Sequence, residues 1–164
     1  MSHIQEPEAL AKVKKFHELF DHYIWEKPSF PSAKMCQLRV NLLQEELDEF
    51  KQAIADGDLV EVADALVDMQ YVLSWAVLSF GMQDIFADMF DEVQRSNMSK
   101  VCKTLEEAER TVKYHANRKW ENKSEWEIVE KSGMYMVLRK SDKKVLKSVD
   151  YSPAKLDTYV KYST

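Results

Sequence analysis

Acidic residues recur at helical spacing in two neighbouring segments of this 164-residue chain. The first segment, QEELDEF, carries Glu46 and Glu49, and the second, DLVEVADALVD, carries Glu61 and Asp64. In both segments the acids share one sector of a helix with apolar residues. The spacing therefore predicts two helices whose acidic stripes turn toward a common core.

Carboxylates on inward-facing sectors need cations, because a buried unpaired carboxylate is costly or takes up a proton. Between Gln44 and Gln70 the only cationic side chain is Lys51, which helical spacing places on the opposite face. Carboxylate oxygens suit hard divalent ions. The two stripes therefore predict a Mg²⁺ site, with Mn²⁺ as the other suitable ion.

Each acidic segment also has a simpler explanation. Either one taken alone is typical of a solvated face on an amphipathic helix. Asp58 and Glu61 have the spacing of a capping box, with Asp58 as the cap and Glu61 at the third helical position. The two segments together favour the metal site, because both align their acids with apolar residues.

Length and charge restrict the class of protein. A chain of this length with 45% hydrophobic residues is expected to form one domain, and its net charge of −5 argues against a general nucleic-acid binder. The apolar-rich stretch from Met69 to Phe80 is too short to cross a bilayer. Cys36 and Cys102 stand alone, which fits a reduced compartment. We expect a cytoplasmic protein that binds no membrane.

Apolar periodicity predicts a mainly α fold, a four-helix-type bundle followed by a small C-terminal β-hairpin or meander. The four helices are expected from Pro7 to about Ile24, from Ser32 to Gly57, from Asp58 to about Gly81, and from about Gln83 to Ser96.

The chain after the bundle changes its pattern. A capping box at Thr104 opens a polar helix to about Lys119, whose thin apolar stripe predicts weak association with any core. Three β-prone runs follow, from residues 126–129, 134–138 and 145–149, separated by turn residues. A short helix is expected from Pro153 to Val160.

The acidic segments resemble the all-α nucleoside triphosphate pyrophosphatases, the group that includes MazG-like proteins, dimeric dUTPases and phosphoribosyl-ATP pyrophosphatases. Their signature, EExxE followed by ExxD, reads here as Glu45, Glu46, Glu49, Glu61 and Asp64. Three further segments are similar to the phosphoribosyl-ATP pyrophosphatase-like branch, namely FHELF, EVQRSNMSK and KVLKSVDYSPAKL.

Two places depart from that family pattern. Residues from about 101 to 124 look like an insertion, and Ser148-Val149-Asp150 stands where the pattern carries Gly-Pro-Asn. The resemblance thus divides the chain into a helical pyrophosphatase core (1–100), an inserted polar helix (101–124), and a hairpin with a tail that packs on the core (125–164).

The resemblance implies a role for each motif residue. Glu46, Glu49, Glu61 and Asp64 would be the metal ligands. Glu45 would hold a further ion or accept a proton from the attacking water, and Asp68 would support the ligands or form a core pair. Arg95, Lys100 and Lys147 would meet the outer phosphates, with Asn97 as a polar contact. For Arg95 a surface pair with Glu92 is the alternative.

The implied activity is Mg²⁺-dependent hydrolysis of a nucleoside triphosphate to the monophosphate and pyrophosphate, in nucleotide-pool housecleaning. Phosphoribosyl-ATP hydrolysis in histidine biosynthesis and a non-catalytic helical module that binds nucleotide or metal are the alternatives. For the base, Phe16, Phe20, Trp25 and Trp75 are available, although aromatic residues at helical spacing are typical of a core. Met-rich and aromatic helix faces predict a homodimer or a dimer of dimers.

Overall fold

The computed structural model describes residues 8–116 and 126–160. The described residues form five α-helices and one antiparallel hairpin, which confirms the mainly α fold class. The elements are α1 (Ala9–Leu19), α2 (Ala33–Asp56), α3 (Leu59–Ser79), α4 (Phe86–Met98), α5 (Leu105–Ala116), β1 (Trp126–Lys131) and β2 (Met134–Arg139). Among these helices none is long and apolar enough to cross a membrane.

The chain divides into two compact units. The first, here the helical unit, takes its described residues from Met1–Ala87 and Tyr159–Thr164 and contains α1, α2 and α3. The second, here the mixed unit, comprises Asp88–Thr158 and contains most of α4, together with α5 and the hairpin.

Helices α2 and α3 form a helical hairpin whose ends follow from local residues. The Ser32 hydroxyl accepts a hydrogen bond from the Met35 N–H and caps α2. Gly57 ends α2 with a left-handed φ of 69°, a conformation that glycine adopts without steric cost. The Asp58 carboxylate then accepts from the N–H groups of Val60 and Glu61 and opens α3. All three predicted helix boundaries are confirmed.

Helix α1 ends earlier than predicted. It stops at Leu19 instead of near Ile24, because Asp21 adopts a left-handed φ of 54° and the His22 N–H bonds back to the His17 carbonyl at 2.9 Å. In the sequence the apolar periodicity continues through Tyr23, but the helix ends before it. Helix α4 likewise begins at Phe86, three residues later than predicted.

In the mixed unit, α5 packs on the hairpin. Its Ala108 and Thr111 are fully buried, and the cluster it joins contains Cys102, Val137 and Leu146. The predicted weak association of this helix with a core is therefore wrong. Part of its buried face is polar and satisfied by hydrogen bonds, which an apolar stripe does not reveal. The predicted extension to Lys119 lies outside the described residues.

The hairpin closes as the sequence predicts. Ser132 and Gly133 both have positive φ, 54° and 73°, which suits a two-residue hairpin turn. The third β-prone run adds only a single bridge, Leu138 to Val145, so the hairpin alternative is correct and the full meander is not. The predicted last helix is a 3₁₀ turn at Leu156–Thr158.

Candidate active site

An acidic groove runs between α2 and α3 in the helical unit, with a volume of about 280 Å³. Its floor is made by two buried alanines, Ala53 and Ala65, whose small side chains let the helices approach closely. Its walls carry the longer polar side chains of Glu49, Gln52, Asp56, Glu61 and Asp64. Three of the four predicted metal ligands therefore line one groove.

Glu46, the fourth predicted ligand, faces the acids of α3. Its Oε2 atom is buried and has no hydrogen-bond partner among the described residues. Burial raises the pKa of the Glu46 carboxyl, and the negative charges of Asp68, Glu49, Glu45 and Asp64 raise it further. Carboxylates from both helices thus lie close enough to repel one another.

The predicted burial of the acidic stripes holds only in part, at Glu46, which is half-buried and has one buried oxygen. The side chains of Glu45, Glu49, Glu61 and Asp64 are exposed. The helix–helix contact beneath the groove is made of small residues such as Ala53 and Ala65, and the longer acidic side chains around it remain open to water. The two helices face each other as predicted, but the acids line a groove instead of filling a core.

The capping box at the start of α3 is only half formed. The Asp58 side chain caps the helix, but the Asp58 N–H donates to the Ala53 carbonyl at 3.1 Å. The Glu61 carboxylate is therefore not needed to satisfy that N–H group. The simpler explanation for Glu61 as a capping residue loses its main support.

Two acids near the predicted ligands contribute more to the site than the sequence pattern predicts. Asp56 lines the groove and accepts two hydrogen bonds from Gln52, at 2.9 and 3.0 Å. Asp68 is the charge that most raises the Glu46 pKa. Each stands seven residues from a predicted ligand on the same helix, Asp56 from Glu49 and Asp68 from Glu61. That spacing places each acid on the same helix face as the ligand, and it is the sequence signal that could have predicted both acids.

The donor set fits a hard divalent cation. The acids of the groove supply oxygen ligands, which hard cations prefer. The neighbouring Glu46 has a buried oxygen without a hydrogen-bond partner among the described residues, and the acids of α3 repel its carboxylate. Within residues 8–116 and 126–160, no three His, Cys, Asp or Glu side chains already stand together as a metal-binding group. The oxygen donors and the uncompensated negative charge, and not an assembled ligand cluster, are therefore what support a cation here.

The predicted phosphate-binding residues lie in the mixed unit, where Tyr151 connects them. The Lys147 Nζ lies 4.4 Å from the centre of the Tyr151 ring. A hydrogen bond from Ser96 lowers the Tyr151 pKa, and the positive charges of Lys147, Lys100 and Arg95 lower it further. The three predicted cations thus lie near enough to act on one tyrosine, which lies within the similar tail segment but is not predicted as a site residue from the sequence.

Asn97 and Lys100 contact each other directly. The Lys100 Nζ donates to the Asn97 Oδ1 at 2.8 Å, at the exposed end of α4. The pair leaves further donors on the Lys100 ammonium for another acceptor.

Arg95 forms the surface pair that was its alternative explanation. Its Nε and Nη2 donate to the two Glu92 oxygens at 2.6 and 2.8 Å, and Nη2 also donates to the Pro153 carbonyl. Arg95 lowers the pKa of Glu92 to about 2, together with a hydrogen bond from the Lys155 N–H. The pair therefore fastens the tail to α4.

The aromatic candidates for base recognition are spread over the helical unit. Trp25 lines a larger cavity of about 490 Å³ formed by residues 23–30, which lacks the facing acids of the groove. Trp75 stacks on His17. Phe16 and Phe20 are exposed and in contact with each other. Because the groove gathers acids from two helices and the cavity beside Trp25 does not, the groove is the candidate active site.

Comparison with known families gives one match. The family model described as phosphoribosyl-ATP pyrophosphohydrolase matches residues 13–97, over half of the chain. The matched range includes both walls of the groove as well as Arg95 and Asn97, and it ends before Lys100 and Lys147. The chain matches no curated protein.

Proposed function

The chain belongs to the phosphoribosyl-ATP pyrophosphohydrolase family, and from that membership we propose that it is a Mg²⁺-dependent nucleoside triphosphate pyrophosphohydrolase. The family indicates a pyrophosphohydrolase, a hydrolase that acts on a phosphoric anhydride. The proposed reaction splits a nucleoside triphosphate into a nucleoside monophosphate and pyrophosphate, as a housecleaning activity on the nucleotide pool.

The observation that carries this proposal is the opposition of Glu46 and Asp68. A buried carboxylate oxygen without a partner lies beside a second helix of acids, inside the range that matches the family. A purely structural site would neutralise such a carboxylate with Lys or Arg. A divalent cation carried by a nucleotide would neutralise it instead.

We propose Glu46, Glu49, Glu61 and Asp64 as the residues that hold Mg²⁺, with Mn²⁺ as a substitute. When bound, the ion would neutralise charge on the phosphate oxygens and lower the pKa of a water molecule. Asp68, whose charge raises the Glu46 pKa, would support the ligands once the ion offsets the repulsion between the two carboxylates. Glu45 is exposed, its charge acts on Glu46, and it would accept a proton from the attacking water or hold a further ion.

Lys100 and Lys147 are proposed to bind the outer phosphates, because both are cationic and both lie near Tyr151. Asn97 would orient Lys100 through their hydrogen bond. Arg95 would contribute its charge from a position fixed by Glu92. Positive charge of this kind stabilises the pyrophosphate leaving group as the anhydride bond breaks.

A nucleotide panel tests the proposal. The full-length protein is incubated with Mg²⁺ and each of the common ribo- and deoxynucleoside triphosphates, and pyrophosphate is measured against orthophosphate. We expect pyrophosphate from at least one nucleotide. The absence of turnover on every nucleotide, with Glu46→Gln binding Mg²⁺ as the wild type does, would refute it.

Phosphoribosyl-ATP is the second candidate substrate, favoured by the description of the matched family. Turnover of phosphoribosyl-ATP alone would assign the protein to histidine biosynthesis. Metal-dependent thermal stabilisation by nucleotides without any product would identify a binding module instead.

We also propose that the protein is a homodimer or a dimer of dimers. The helical unit exposes large apolar side chains near the α2–α3 turn, where Leu59 is 80% exposed and Ile54 and Val60 are also open to solvent. Apolar patches of this kind are typical of subunit interfaces. Sedimentation should give a dimer or tetramer at micromolar concentration, and a monomer there would contradict this.

A further inference from the structure

Arg39 of α2 is a buried charge that has no oxygen acceptor among the described residues. Only 3% of its surface is exposed. Its Nε and Nη1 groups are buried and have no hydrogen-bond partner within the part of the chain that the structure describes, while Nη2 reaches only the Met35 sulfur, at 3.1 Å. Burial lowers the Arg39 pKa to about 10, so the guanidinium still carries its charge at neutral pH.

A guanidinium in this state is costly to bury. A thioether is a weak acceptor, and a buried N–H group without a partner loses its hydration. The Arg39 Cζ lies 3.3 Å from the centre of the Trp75 ring, which is close enough for a cation–π interaction. That contact uses the face of the guanidinium and gives Nε and Nη1 no hydrogen-bond acceptor among the described residues. Buried arginines usually direct these donors at a carboxylate or a phosphate.

His17 of α1 adds a further unsatisfied nitrogen at the same ring. It is 1% exposed and stacks on Trp75 with the ring centres 4.3 Å apart. Its Nδ1 lies 2.7 Å from the Nδ1 of His22, and its Nε2 is buried without a partner among the described residues. Burial, then the charges of His22 and Arg39, lower the His17 pKa to about 4. His17 is therefore a neutral ring that packs on the same Trp75 indole as Arg39.

The position of Arg39 relative to the acids suggests what it binds. Arg39 and Glu46 stand seven residues apart on one face of α2, and Trp75 and Asp68 stand seven residues apart on α3. Seven residues span about 10 Å of helix, too far for the guanidinium to neutralise the carboxylate. One helical hairpin thus carries an unneutralised acid and, two turns away, an unneutralised base. A phosphorylated ligand that carries its own metal ion would satisfy both.

We propose that Arg39 and His17 form a buried oxyanion site that receives a phosphoryl group of the substrate. This inference rests on the proposed function for the identity of the ligand. Arg39 would donate from Nε and Nη1. His17 would donate from Nε2 when its Nδ1 accepts the hydrogen bond from His22. Since His22 is exposed, the cluster borders on solvent through that residue.

Calorimetry on the full-length, metal-free protein in EDTA tests the site with pyrophosphate as the probe and orthophosphate as a second probe. We expect saturable binding of at least one probe by the wild type. Arg39→Met should weaken that binding at least tenfold, and Arg39→Lys should recover part of it. Lys51→Met, which removes an exposed cation from the same helix, is the matched control and should bind as the wild type does.

A spectroscopic readout separates this role from a structural one. In NMR titrations of the wild type, the probe should raise the His17 pKa by at least half a unit, because a bound anion stabilises the imidazolium. Arg39→Met should keep or raise the Tm, since it replaces an unpaired buried charge with an apolar chain of similar length. If Arg39→Met does not fold, Arg39→Lys and the wild-type titration still decide the outcome.

Three binding results, and separately one kinetic result, would overturn the proposal. The first is that the wild type shows no saturable anion binding. The second is that folded Arg39→Met binds the probe with unchanged affinity, and the third is that a bound probe leaves the His17 pKa unchanged. None of these three requires turnover, so failure of the proposed hydrolase activity is a separate result. Wild-type turnover with an unchanged KM in Arg39→Met would likewise keep the hydrolase and remove the oxyanion site.

The KM values of Arg39→Met for different substrates show which phosphate of the substrate the site binds. If Arg39→Met raises the KM for ordinary nucleoside triphosphates, the site takes a phosphate of the triphosphate chain. If the KM rises only for phosphoribosyl-ATP, the site takes the phosphate of the added ribose. Either result supports an oxyanion site.

Discussion

Ser148 of the tail donates a hydrogen bond to the carboxylate of Glu107 on α5, and both residues are buried. Glu107 lies in the segment from 101 to 124, and Ser148 begins the Ser-Val-Asp sequence, the two places where the chain departs from the family pattern. The Val149 N–H also donates to the Thr111 hydroxyl at 3.1 Å. The two departures therefore form one structure, in which α5 holds the tail that carries Lys147 and Tyr151.

Ser148→Ala should lower the free energy of unfolding by about 1–3 kcal/mol, because it leaves an oxygen of a buried carboxylate without its partner. Urea unfolding measures the change. Arg110→Ala is the control, since it removes an exposed ion pair to Asp150 on the same helix–tail contact and should cost about 1 kcal/mol or less. A loss from Ser148→Ala no larger than that of the control would contradict a buried tail anchor.

Glu46→Gln should raise the Tm of the metal-free protein, because it removes a charge that Asp68 and Glu49 repel. The same variant should lose most of the stabilisation that millimolar Mg²⁺ gives to the wild type. Thermal unfolding with and without Mg²⁺ measures both effects. Asp48→Asn on the same helix is the control, since Asp48 is exposed and bonded to Lys51. Equal responses of the two variants to Mg²⁺ would argue against a cation at Glu46.

The stability of the protein should fall between pH 6.5 and pH 4 through His17. Its pKa is about 4 in the folded state against 6.5 in the unfolded chain, so in this window only the unfolded chain takes up the proton. The expected loss is about 3 kcal/mol on going from the upper to the lower pH. His17→Gln should remove this component from the pH dependence of urea unfolding. Parallel pH profiles for the variant and the wild type would be inconsistent with a buried neutral His17.

Lys100→Met and Lys147→Met should each raise the KM for the nucleotide about tenfold, the change expected for a loss of about 1.4 kcal/mol of binding. Their effect on the Tm should be small, since Lys147 is exposed and the Lys100 ammonium donates to an exposed asparagine. Steady-state kinetics and thermal unfolding provide the two readouts. Lys113→Met, an exposed lysine of α5, is the matched control. The assignment would be abandoned if all three variants shared the wild-type KM.

The sequence predicts best what neighbouring residues decide. Ser32, Gly57 and Asp58 act on backbone groups within a few residues, so they place the ends of α2 and α3 correctly. Gly133 works the same way in the hairpin turn. The end of α1 depends on a left-handed turn at Asp21 that interrupts a continuing apolar pattern, and periodicity alone extends the helix too far.

The sequence predicts less well where polar residues are buried. Glu107 and Ser148 lie 41 residues apart in the chain and form a buried hydrogen bond, so no local pattern reveals their contact. The burial of Arg39 is not predicted for the same reason, because a single arginine on an amphipathic helix is ordinarily a surface residue. The acids were found because two stripes coincide, yet only the folded hairpin shows that Glu46 is the one partly withdrawn from water.

The most direct test is the identity of the products. The full-length protein with Mg²⁺ and its best nucleoside triphosphate should yield the monophosphate and pyrophosphate in equal amounts in ³¹P NMR spectra. Glu46→Gln should lower kcat at least a hundredfold, whereas Asp48→Asn should turn over as the wild type does. Release of orthophosphate and a nucleoside diphosphate, or full activity in Glu46→Gln, would contradict a pyrophosphohydrolase centred on the α2–α3 groove.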